Sequence, residues 1–266
     1  MLPALALGAW FAAGAAFLGR TTPVGLLAAA GLGCVGLIVA GVVLQGSGIF
    51  ARPLMAVRTA RPELALTFDD GPDAEITPAV MAALEAGGHR GTFFVVGERA
   101  AAQPALTADI ARRGHGLENH SLRHAYTTNL RSPKALAEEL RQASEIVARA
   151  TGAAPRWFRP PVGLLSPRIA EGVRRAGLEL VGWTASARDG VARRQVQGAV
   201  RRLERHLVPG AILVMHDGRM GKREGSIAVP VLEQVLARMA EKGLRSVTLP
   251  ALLAPDAPAA DAPARS

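Results

Sequence analysis

Glu63 to Asp73 read ELALTFDDGPD, and the fold turns on this stretch. Leu64, Leu66 and Phe68 alternate with Ala65 and Thr67, the period of a strand with one more apolar face. Gly71-Pro72 stops the extended run, so two adjacent carboxylates, Asp69 and Asp70, fall where the strand ends. Like charges side by side repel, and a cation or a proton relieves them. A solvated turn is the plain alternative, because Asp and Gly are common turn formers. The rest of the chain decides between the two.

Working outward, strand candidates alternate with helix-like stretches. The strands are Leu64–Phe68, Gly91–Val96, Gly116–Asn119, Trp157–Arg159, Leu178–Thr184, Ala211–Met215 and Arg245–Leu249. Between them, TPAVMAALEAGG, SPKALAEELRQASEIVARATG, SPRIAEGVRRAG and PVLEQVLARMAEKG carry apolar residues at helical spacing and end in Gly. All four have Pro near the start, and Ser132 stands as a candidate N-cap. Alternating β and α units predict a parallel sheet or barrel, seven strands approaching the α/β barrel described for eight.

Residues 1–50 hold a single charged side chain, Arg20, whereas all 22 acidic residues lie at or beyond Glu63. Two apolar runs, residues 2–19 and 24–44, each approach the ~20 residues that cross a bilayer core, with RTTP between them as a tight hairpin. A cleaved signal peptide is the competing reading of the first run, but nothing basic precedes Arg20. The expected organisation is a membrane anchor over 1–50, a linker over 51–61, a catalytic domain over 62–253 and a disordered Pro/Ala-rich tail over 254–266.

The formal net charge is +9, and basic residues outnumber acidic ones, 31 to 22. Aromatic content of only 4% and the lack of a densely basic tract speak against a nucleic-acid partner. An anionic membrane surface or envelope polymer suits this charge better, and no specific protein partner is expected. Cys34, the one cysteine, excludes a disulfide and a thiolate metal site.

The polar residues fall at one place in the pattern. Strand ends deliver Asp69-Asp70, then His120 and His124 in ENHSLRH, Arg159 in RPPVG, Asp189 in TASARDG and His216 in MHDG. In barrels of this type the C-terminal strand ends form the catalytic rim. His120 and His124, four apart, share a face on one helical turn and are expected to hold a cation with one of the two aspartates. His89, His115 and His206 read as solvated. Such a metal site lowers the pKa of water and polarises a carbonyl, while the other aspartate takes a proton. His216 is placed to protonate a leaving group, with Asp189 orienting it and Arg159 holding the base. Gly163 suggests a tight turn whose N–H groups receive an oxyanion. The constellation describes hydrolysis of an amide or ester.

TFDDGP, HSLRH, RPPVG and LVMHDG resemble the motifs of the NodB-homology polysaccharide deacetylases, carbohydrate esterase family 4, over about residues 62 to 252. The resemblance implies a distorted (β/α)7-type barrel and metal-dependent removal of N- or O-acetyl groups from glycans, as a hydrolase of carbon–nitrogen bonds other than peptide bonds. Position by position, Asp69 resembles the catalytic base, and Asp70, His120 and His124 the metal ligands. Arg159 resembles the residue that tethers the base, His216 the general acid, and Asp189 its tuning partner. Pro161, Val162, Gly163 and Trp183 are the residues expected to meet the substrate. Two positions depart from the family: RDG stands where Asp-Trp is usual, with Trp183 upstream, and Val162 stands where an aromatic residue is common.

The leading expectation is a membrane-anchored deacetylase of peptidoglycan or another envelope glycan, with one divalent metal. Zinc suits the donors, and cobalt, nickel or manganese also bind nitrogen–oxygen sites. A deacylase or deformylase of a lipid-linked sugar, and a glycan-binding module without turnover, are the alternatives. Arg52, Arg58 and Arg61 against Arg20 lean toward a cytoplasmic catalytic domain. The substrate class leans toward the extracytoplasmic side of a bacterial inner membrane, which is the placement expected.

Overall fold

The computed structural model describes residues 23–189, 195–218 and 226–255. Its centre is β1, Glu63–Asp69, buried along its whole length. Leu64, Leu66 and Phe68 face one hydrophobic cluster with Phe93, Val95, Leu213 and Met215, packed against Val80, Leu84, Leu203, Val231 and Val235 of the surrounding helices. Ala65, Thr67 and Asp69 turn to the other face, where Phe94, Trp157 and Ile212 form a second cluster. The alternation in the sequence therefore separates a helix-covered face from the interior of the curl. It does not separate core from solvent.

In chain order, α1 (Pro23–Val43) is followed by β1, α2 (Ile76–Ala86), β2 (Gly91–Val95), α3 (Gly97–Ala102), α4 (Pro104–Arg112) and β3 (Gly116–Asn119). Then come α5 (Pro133–Thr151), β4 (Trp157–Phe158), α6 (Pro167–Ala176), β5 (Glu179–Leu180) and β6 (Ala185–Ser186). The described residues finish with α7 (Val196–Glu204), β7 (Ile212–His216), α8 (Ala228–Glu241), β8 (Arg245–Ser246) and α9 (Leu249–Leu253). The strand order is β5-β4-β3-β2-β1-β7-β6, with β8 on β1, and these strands all pair in parallel among the described residues. This is the expected α/β architecture, as a curled sheet open on one side. Ser132 and Ser166 accept from the N–H groups of Ala135 and Ile169, each ahead of a proline, and Gly152 and Gly177 close the same helices in the left-handed conformation.

One predicted strand is broken. The run Leu178–Thr184 leaves β4 after Leu180 and resumes beside β7 at Ala185. Residues from before β1 fill the opening. Leu54 donates to the Leu180 carbonyl and bridges Val181, Thr184 Oγ1 donates to the Met55 carbonyl, and Val57 donates to Gly210. Segment 51–61, expected to be a linker, thus supplies backbone partners to the sheet.

Within α1, Gly25–Val43 spans 19 residues at a mean hydropathy of 2.5 with 6% of its window buried, long and apolar enough to cross a membrane. The first apolar run, residues 2–19, and the tail beyond residue 255 lie outside the described residues.

Candidate active site

Asp69 is the last residue of β1, in register with Phe94 of β2 and His216 of β7. Parallel neighbours lie about 4.8 Å apart, so the sheet itself sets Asp69 beside His216. Asp70 then takes φ 73°. This left-handed turn, which Asp tolerates better than most residues, sends adjacent carboxylates in different directions. Gly71 lets the chain pass close by: a side chain there would stand 2.3 Å from Asp217 Oδ2.

Asp70 Oδ1 lies 3.3 Å from His120 Nε2 and 3.0 Å from His124 Nε2. All three ligand atoms fall within 4.8 Å of one another. His120 Nδ1 is 2.8 Å from the Arg159 carbonyl, which only accepts, so this nitrogen carries the proton and Nε2 presents its lone pair. A lone pair facing a carboxylate oxygen calls for a cation between them. Asp70 Oδ1 is buried and has no hydrogen-bond donor among the described residues. The residues fit a metal ion by their donors and by this pairing of acceptors.

The route by which the histidines meet corrects the expected helical turn. His120 to Ala125 form no helix. Asn119 Oδ1 accepts the Ser121 N–H, Ser121 Oγ accepts the His124 N–H, and Ser121 and His124 both take positive φ. A folded loop brings the ring centroids to 5.1 Å.

Arg159, fully buried, donates from Nη1 to Asp69 Oδ1 at 2.7 Å and to Thr67 Oγ1 at 2.8 Å, and from Nη2 to the Gly182 carbonyl at 3.0 Å. Its guanidinium lies 4.0 Å from the Phe94 ring centroid. His216 Nδ1 meets Asp189 Oδ1 at 2.7 Å, and the His216 N–H donates to Asp189 Oδ2 at 3.0 Å. Burial lowers the His216 imidazole, but Asp189, aided by Asp69 and Asp70, raises it to about 9. The proton acceptor and donor expected from the sequence therefore stand side by side, each with its own ionic partner.

Pro161, Val162 and Gly163 form a short 3-10 turn after β4, with Val162 at φ 59° and Trp183 packed against Gly163. The Gly163 N–H donates to the Pro160 carbonyl. The tight turn expected at Gly163 is thus present, and its Gly163 N–H is committed within the turn. His89 and His115 are also not solvated: their Nδ1 atoms accept the N–H groups of Ser246 and Gly91 inside the domain. His206 is partly buried, its Nδ1 3.0 Å from the Arg202 carbonyl.

Sequence reasoning missed Thr67, which shares the Arg159 guanidinium, and Asp217. Asp217 is fully buried, accepts from Thr77 Oγ1, and has its carboxyl raised to about 7 by burial. An acid directly after His216 in MHDG was the signal available for it.

Fold and site together define a hydrolase on a curled parallel sheet. The polysaccharide deacetylase family model matches residues 56–181. A peptidoglycan-N-acetylglucosamine deacetylase of Bacillus cereus is 30% identical over 194 residues, covering 72% of this chain and 68% of the relative. Among solved structures, the peptidoglycan N-acetylglucosamine deacetylase Bc1960 superposes with TM-score 0.67 at 29% identity, over 75% of this chain and 91% of that one. A family 4 acetyl xylan esterase of Clostridium thermocellum, in complex with a cobalt ion, gives TM-score 0.64 at 26% identity, over 71% and 89%. The chain belongs to the polysaccharide deacetylases of carbohydrate esterase family 4, the NodB-homology hydrolases.

Proposed function

We propose that this chain is a membrane-anchored, metal-dependent deacetylase of an N-acetylated envelope glycan, peptidoglycan first among them. The observation that carries this reading is the orientation of His120 and Asp70, a fixed lone pair facing a carboxylate, with Asp69 and His216 alongside. The named substrates of the relatives support the choice of glycan. The anchor rests on the apolar α1.

A divalent ion held by Asp70, His120 and His124, zinc by its preference for such donors, supplies Lewis acidity to the acetyl oxygen and acidity to water. Asp69 accepts the proton of the attacking water, and Arg159 keeps that carboxylate in place. His216 gives its proton to the sugar nitrogen as the carbon–nitrogen bond breaks, and Asp189 keeps the imidazole charged until then. The products are acetate and a free amine.

Acetate release is to be measured on peptidoglycan, chitooligosaccharides, acetylated xylan and lipid-linked sugars, after chelation and with metal restored. Activity is expected to vanish on chelation and return with a divalent ion. Asp69→Asn is expected to keep its metal and lose about 10²–10⁴-fold in turnover; retained turnover sinks the assigned base. His120→Ala is expected to lose stoichiometric metal, and full occupancy in that variant refutes the ligand set. A lipid-linked sugar is the second reading, favoured because α1 ends against the turn beside the site, where the Val42 carbonyl accepts the Leu165 N–H.

A further inference from the structure

One buried polar side chain reaches the site from the N-terminal segment. Gln45 opens the turn that follows α1 and is 8% exposed. Its Nε2 donates to the Gly163 carbonyl at 2.8 Å, across 118 positions of sequence. Its Oε1 is buried with no hydrogen-bond partner among the described residues. That oxygen lies against Gly182, where a side-chain carbon would stand 2.5 Å away. An unpaired buried acceptor is unfavourable, so stability alone does not account for a glutamine at this place.

The turn that Gln45 grips is strained. Val162 is a β-branched residue at φ 59° and is 56% exposed at the rim. Such a conformation persists only where its surroundings over-determine it. The Pro160 carbonyl accepts the Gly163 N–H, and the Trp183 ring occupies the space a Gly163 side chain would need. Two further restraints come from the N-terminal segment: Gln45 on the Gly163 carbonyl, and the Val42 carbonyl on the Leu165 N–H. On its other side Gln45 braces Gly182, whose carbonyl receives Arg159 Nη2.

We infer that Gln45 is a positioning residue for the substrate: with the last turn of α1 it sets the Pro161–Gly163 turn, which makes the apolar helix a built part of the site's rim. This rests on the reading of that turn as a glycan contact. It extends the site to a segment that lies before the matched residues 56–181.

The test uses the full chain carrying Gln45→Met, which keeps the shape and removes the donor. KM for an N-acetylglucosamine tetramer is expected to rise about tenfold, one hydrogen bond's worth, with kcat within about twofold. Amide exchange at Leu164 and Leu165 is expected to quicken by about tenfold while β1 exchanges as before. The melting temperature is expected to hold, since one buried unpaired oxygen leaves with the side chain. Unchanged KM, or loss of stability with kcat and KM shifting together, overturns the inference. If the parent chain releases no acetate from any glycan, the functional reading fails by itself. The exchange measurement then still decides whether Gln45 holds the turn, and unchanged exchange refutes it.

Discussion

Asp189 and His216 show how one residue sets the working range of another. The imidazole, raised to about 9 by its carboxylate partner, keeps its proton well above the ordinary 6.5. The same shift contributes stability that is complete below pH 6.5 and is lost as pH rises through about 9. The alkaline limb of kcat/KM is therefore expected near pH 9, and Asp189→Asn is expected to draw it toward 6.5. A pH–rate profile checks this, and an unmoved limb would show that Asp189 only shapes the loop. At this scale the sequence was informative about identity and less so about path. Asp69, Asp70, His120, Arg159 and His216 meet because each stands at or just past the end of a strand, and the loop after β3 adds His124. The spacing of the histidines suggested a helix, however, whereas two left-handed residues and the Asn119 and Ser121 side chains fold a loop. Nothing local in the sequence marks His89 and His115 as buried acceptors, because their partners are backbone N–H groups far along the chain.

Elements were legible where their pattern is self-contained. β1 and the capped helices α5 and α6 follow from alternation, Ser-Pro starts and Gly stops. The broken run Leu178–Thr184 was not, since the break depends on Leu54 and Met55, which occupy the opening between β5 and β6. Gly210 is the contact that admits this segment on the β7 side. It sits at φ 77°, and a side-chain carbon would lie 1.8 Å from the Val57 carbonyl. Gly210→Ala is expected to destabilise the domain by about 3 kcal/mol, from left-handed backbone strain and steric displacement together. Urea unfolding measures it, and a change below about 0.5 kcal/mol would mean that the segment is only loosely seated.

For the molecule as a whole, buried histidines set an acid limit. Burial lowers both His89 and His115 from their ordinary 6.5, with Arg245 adding to the effect on His89 and Glu85 partly opposing it on His115. A lowered folded pKa means the unfolded chain takes protons first, so stability falls as pH drops below 6.5 toward the folded values. Thermal melts between pH 7 and 5 are expected to show this slope, and His89→Asn with His115→Asn, neutral at every pH, to flatten it. An equal slope in the double variant would place the acid sensitivity elsewhere. The seat of Met55 beside Thr184, 129 positions away, also bears on how the chain reaches its native state. Residues that leave the ribosome ahead of β1 find their partners only after β5 and β7 have been made. Closing so long a loop carries an entropic cost, so the opening in the sheet stays unsealed until both of its edges have been made, although the segment that seals it is synthesised ahead of every strand.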